Sequence, residues 1–68
     1  MRIRQVTDQP YTYIVENDYG KQLGNVDEFH KNGFVYYVGT RFDNKGMFEQ
    51  KDFPGFTAAL EWFIVNRQ

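Results

Sequence analysis

The chain contains no cysteine and no serine, a single histidine, and no apolar run approaching the length of a membrane span. Each absence removes a class of explanation. Without cysteine there is no disulfide to staple the fold and no thiolate to hold zinc or to attack a substrate. Without serine, a nucleophilic hydroxyl must come from threonine, with His30 as the sole imidazole to activate it. One imidazole cannot supply the nitrogen ligands of an ordinary zinc site, so no metal is expected. A membrane helix needs about 18 or more consecutive apolar residues, and Met1-Arg2-Ile3-Arg4 has no apolar segment of the secretory type. The expected compartment is therefore cytoplasmic, with no membrane partner.

Phosphate-binding signatures are missing as well. No Walker lysine motif or dinucleotide fingerprint occurs, and Gly20 and Gly24 flank a polar turn. Asp43-Asn44-Lys45-Gly46 has part of a calcium loop, but counting back from the glycine puts Arg41 where the first carboxylate should stand. No cofactor is expected. With a net charge of −1 and its lysines and arginines scattered, the chain has no basic stripe of the kind that tracks a nucleic-acid backbone. The carboxylates of Asp27, Glu28, Glu49 and Asp52 read as solvated side chains, and His30 as the polar flank of a turn. Catalytic residues are not indicated, and the chain is expected not to be an enzyme.

What the chain does have is aromatic residues, 19% of its 68 positions. A domain this short hides only about 60% of its unfolded surface and keeps roughly 3–5 kcal/mol of net stability. Large rings are the economical way to fill so small a core. Residues 1–68 are read as one domain.

Turn residues cut the sequence at Asn17-Asp18-Tyr19-Gly20, Lys31-Asn32-Gly33, Asp43-Asn44-Lys45-Gly46 and Asp52-Phe53-Pro54-Gly55. Between them, residues 11–16, 23–29, 34–42 and 47–51 are rich in β-branched and aromatic types and read as strands. Met1 to Val6 reads as a frayed extra strand. Asn32-Gly33 is the strongest turn signal, because a type I′ turn needs positive φ at both central residues. After Pro54 the apolar period lengthens. Phe56, Ala59, Leu60, Phe63 and Ile64 form one stripe of a helix over about 56–66, with Trp62 at the edge of the core. Thr57 is the expected N-cap, with Asp52 as its rival, and Arg67 suits the negative C-terminal end. The fold class is α+β: a three- to four-stranded antiparallel β-meander packed on one face by a single C-terminal α-helix.

Register then sorts the side chains. A two-residue turn at Asn32-Gly33 sets Phe29 opposite Tyr36 and Val26 opposite Gly39. A similar turn at Tyr19-Gly20 sets Tyr13 opposite Val26 and Val15 opposite Gly24. Cross-strand partners share a face, so Tyr11, Tyr13, Val15, Val26, Val35 and Tyr37 form the core face, with Gly24 and Gly39 admitting a close helix. The other face carries Ile14, Phe29, Phe34, Tyr36, Val38 and Phe42 beside Thr12, Glu16, Asn25 and Asp27. One helix cannot cover both faces, which leaves aromatic residues with an acidic rim facing solvent.

Two functions follow from that face. The first is a protein-interaction module that binds a protein partner or a second copy of itself through Phe29, Phe34, Tyr36, Ile14 and Val38, with Glu16 and Asp27 favouring a basic surface. The second is nucleic-acid binding. Gly24-x-Val26-x-x-Phe29 followed by Gly33-Phe34-Val35-Tyr36 resembles the opening of a cold-shock domain, which implies aromatic strands stacking single-stranded bases. The resemblance covers less than a quarter of the chain. Asp27 and Glu28 depart from that family's basic or aromatic positions, and a helix replaces its later strands. In order of elements alone, the sheet and helix also resemble the three-stranded DNA-binding domains of some integrases and plant AP2 factors. Those insert a basic sheet face into the major groove, whereas Arg41 is the only cation expected within the two central strands. Charge therefore ranks nucleic acid second.

Overall fold

A computed structural model of the chain describes residues 1–42 and 45–65. Five antiparallel strands lie side by side in chain order: β1 (Arg2–Val6), β2 (Gln9–Glu16), β3 (Gln22–Lys31), β4 (Phe34–Phe42) and β5 (Phe48–Phe53). Helix α1 (Phe56–Val65) follows and packs on one side of the sheet. The fold is α+β, with one strand more than the three or four expected. The extra one is β1, which is paired rather than frayed: Arg2, Ile3, Arg4 and Gln5 stand opposite Glu16, Val15, Ile14 and Tyr13. Its mostly polar, exposed sequence carries little strand signal, so pairing with the long β2 decides its conformation.

The central hairpin follows its turn. Asn32 has φ 51° and Gly33 φ 81°, the doubly left-handed geometry that matches the twist of the flanking strands. Phe29 accordingly faces Tyr36, Glu28 faces Tyr37 and Val26 faces Gly39. Between β2 and β3 the pairs Tyr13 with Val26 and Val15 with Gly24 also form. That turn is longer than two residues. The Asn17 carbonyl accepts from Gly20 N–H at 3.1 Å, its side-chain oxygen accepts from Tyr19 N–H at 2.8 Å and Lys21 N–H at 3.0 Å, and a register shift follows Val15.

The core consists of Val15, Val26, Phe53, Ala59, Trp62 and Phe63. Leu23, Tyr37, Phe56, Ala58 and Leu60 pack around it. Gly24 and Gly39 are the slots that admit the helix. A methyl group at Gly39 would lie 2.9 Å from the Trp62 ring and 3.2 Å from that of Phe53. At Gly24 it would run into the Thr40 backbone carbonyl and lie 2.8 Å from the Phe63 ring. The buried helical stripe is therefore rotated from the expected one. Trp62 enters the core because Gly39 makes room for an indole, and Ile64 is left 51% exposed. Tyr11 and Val35 share the core face by register, yet they are 54% and 43% exposed because α1 does not reach them.

The helix ends differ from expectation too. Neither Thr57 nor Asp52 is the cap: α1 starts at Phe56, and the Gly55 carbonyl accepts the first helical bond from Ala59 N–H at 3.2 Å. Glycine tolerates that position without a side-chain cap. Asn66 and Arg67 lie outside the described residues. The described last turn has no basic residue, and Arg41 on β4 supplies the cation. Its Nη1 donates to the Trp62 carbonyl at 3.2 Å, its guanidinium carbon lies 4.2 Å from the Trp62 ring centroid, and its Nη2 pairs with Glu49. One side chain thus meets a carbonyl of the last helical turn, the negative end of the helix and an indole face.

These contacts predict three stability losses, read by urea denaturation. Gly39→Ala should cost about 1–3 kcal/mol, because the indole must move to admit a methyl group. Gly24→Ala should cost more, since its obstacle is backbone. Arg41→Met should cost about 1–2 kcal/mol through loss of the carbonyl and ring contacts.

Candidate functional site

The sheet face away from α1 is the candidate interface, and register determines its members. Ile14 and Glu16 on β2, Asp27 and Phe29 on β3, and Phe34, Tyr36 and Val38 on β4 all point to this side. The seven residues singled out from sequence are therefore brought together. Others join them: Arg2 and Arg4 opposite Glu16 and Ile14, Lys31 opposite Phe34, and Phe48, Gln50 and Asp52 opposite Phe42, Thr40 and Val38. Arg41 does not belong here. It shares the helix side with Gly24 and Glu49.

The face has aromatic ends and a polar middle. At the Asn32-Gly33 end, Phe34 is 75% exposed, and Phe29 stacks on Tyr36 with centroids 5.3 Å apart and planes 17° from parallel. At the opposite end Phe42 and Phe48 form an exposed cross-strand pair. Between them Asp27 accepts from Thr12 Oγ1 at 2.8 Å and from Asn25 Nδ2 at 2.9 Å. Gln50 Nε2 donates to the buried Thr40 hydroxyl at 3.2 Å. These short bonds orient the central polar side chains, and Asp27 keeps further acceptor capacity on its two oxygens.

Charge across the face is balanced. Arg2, Arg4 and Lys31 stand against Glu16, Asp27 and Asp52, and Arg4 lies 3.8 Å from Glu16. The cations on β1 were not foreseen on this face, because an Arg-x-Arg alternation shows its facing only once the strand is paired. Phe48 went unnoticed for a similar reason, since its turn partner was not resolved by sequence pattern.

On the helix side, the end of the β3–β4 hairpin extends past α1 and carries a second group of side chains. His30 Nε2 lies 2.6 Å from Glu28 Oε2, and its ring packs on Tyr11 with centroids 4.9 Å apart. Tyr37 packs against Phe56, 5.7 Å between centroids. Removal from solvent, then the neighbouring Glu28 carboxylate as charge and hydrogen-bond acceptor, push the Tyr37 phenol above its ordinary value. His30 is thus an exposed partner of Glu28 at the hairpin end, as the turn-flank reading expected.

A raised phenol favours folding while it stays protonated, so its contribution is complete below the ordinary tyrosine value of about 10 and is lost as pH rises through the folded value. An alkaline titration followed by tyrosinate absorbance should show one tyrosine ionising late. That transition should move back towards the others in Glu28→Gln.

Compared with known protein families, curated proteins and solved structures, the chain matches none. Among the described residues the five strands form one open sheet with β1 and β5 at its edges, followed by a helix.

Proposed function

We propose that this chain is a non-enzymatic interaction module that binds a protein partner through the open face of its sheet. The observation that carries this reading is the aromatic end of that face. α1 covers the opposite side, and Phe29 and Phe34 are left 44% and 75% exposed beside the stacked Tyr36. Aromatic anchors surrounded by polar groups are the usual anatomy of a binding hot spot. Ile14 and Val38 extend the apolar floor, and Glu16 and Asp27 supply acceptors at its border. The partner that fits is an apolar or aromatic segment flanked by arginine or lysine.

Two features favour this partner over its rivals. The balanced charge of the face gives little excess positive potential to attract phosphates, which dominate nucleic-acid affinity. Asp27 near the middle of the sheet disfavours stacking the face squarely on a second copy, since a centred two-fold axis sets Asp27 against its own image. The lack of serine and cysteine and the surface pairing of the lone imidazole support a role without catalysis.

Peptides selected from a random library on the immobilised protein should be enriched in arginine or lysine beside aromatic residues. In residue-resolved NMR titrations their shifts should centre on Phe29, Phe34 and Tyr36. Phe34→Ala or Tyr36→Ala should weaken binding by about tenfold or more while the spectrum stays folded. Unfolding of Tyr36→Ala, with Phe34→Ala binding normally, would make this face core. Salt-sensitive shifts with oligothymidine, involving Arg4 and Lys31, would transfer the function to single-stranded nucleic acid.

A further inference from the structure

The two edges of the sheet are not alike. β1 is five residues long, and its register with β2 shifts between Gln5 and Val6. Shortness and a bulge are devices that blunt an edge against further pairing. β5 has neither. Its six residues pair with β4 in unbroken register from Phe42 with Phe48 to Tyr37 with Phe53, they include no proline, and no described strand lies on the outer side. About half of its backbone donors and acceptors therefore point away from the sheet. α1 packs Trp62 against Phe53 at the end of β5, and the five strand residues before Phe53 stay exposed.

Charged side chains on an edge normally deter pairing. Here they form a pattern that is its own complement. Glu49-Gln50-Lys51, read against itself in the antiparallel sense, places acid opposite base twice. We propose that β5 pairs with β5 of a second copy about a two-fold axis through Gln50, joining two sheets into one. In that register Glu49 faces the second copy's Lys51 and Lys51 faces its Glu49. Both pairs lie on the helix side, and exposed Met47 comes opposite Phe53.

The same charges disfavour the nearest registers that keep the faces matched. An axis through Lys51 sets that lysine against itself, and one through Glu49 sets two carboxylates together. An axis between Gln50 and Lys51 opposes Glu49 to Asp52 and also reverses the faces. The intramolecular contacts survive the proposed pairing. Glu49 is 63% exposed while it pairs with Arg41, and Lys51 Nζ sits 5.7 Å from the Phe53 ring centroid. A single pair of edge strands is smaller than the roughly 1,200 Å² of a stable interface, so this association belongs to high protein concentration.

Sedimentation equilibrium of the full chain up to about 1 mM tests it. The wild type should dimerise, and Lys51→Glu and Glu49→Lys should each weaken the dimer by about tenfold, since both opposed pairs become like-charged. An equimolar mixture of the two variants should recover dimer, because every opposed pair is again unlike. That recovery separates a charge effect on pairing from damage to the fold. A wild type that sediments as a monomer throughout overturns the proposal. So does a dimer that Lys51→Glu leaves intact and Phe34→Ser abolishes, which assigns association to the open face instead.

Discussion

The close approach of α1 to the sheet over Gly24 and Gly39 is the constraint on which the rest of the molecule depends. With only six buried hydrophobic residues among those described, the domain cannot afford a gap between its layers. The two missing side chains let Phe63 and Trp62 lie directly on the backbone of β3 and β4. Once Trp62 is seated there, its position determines what can surround it. Phe53 packs at 5.4 Å, Phe63 meets its edge at 5.3 Å, and Arg41 closes over the indole and ties back to the helix carbonyl. The helix is thus held by rings below and by a cation from the sheet at its end.

That constraint also decides which surface is left uncovered. A single ten-residue helix spends its apolar side on the glycine-bearing face. Phe29, Phe34, Phe42 and Phe48 remain on the other. Under the proposed edge pairing, both copies present their open faces on the same side of one sheet. A partner with two apolar segments then gains by local concentration rather than by any new contact.

Much of this architecture was legible because one short turn is unambiguous. Asn32-Gly33 sets the β3–β4 register, and from it the sequence sorts Val26, Gly39 and Tyr37 from Phe29, Tyr36 and Val38. The failures have physical reasons. β1 owes its strand to pairing with β2 rather than to its own polar residues. The helical stripe could not be oriented from period alone, since Trp62 and Ile64 are both apolar and only the slot at Gly39 chooses between them. The role of Arg41 was not legible, because its carbonyl and indole partners lie twenty-one positions away, at a distance no local pattern reports. The candidate face was read from alternation, but its aromatic ends and hydrogen-bonded centre emerge only when five strands are laid together.

The chain-order arrangement of the strands has a kinetic consequence. Every strand pairs with its immediate neighbour in sequence, so each ladder closes through a short loop and little chain entropy is lost before contacts form. The helix is different, for Phe63 must find Gly24 and Trp62 must find Gly39 across long stretches of chain. A hairpin nucleus at Asn32-Gly33 that grows outward, with helix docking as the last step, is the folding order this topology favours. Until that last step both sides of the sheet are bare. Docking of the helix then covers Val15 and Val26 and leaves a single bare side.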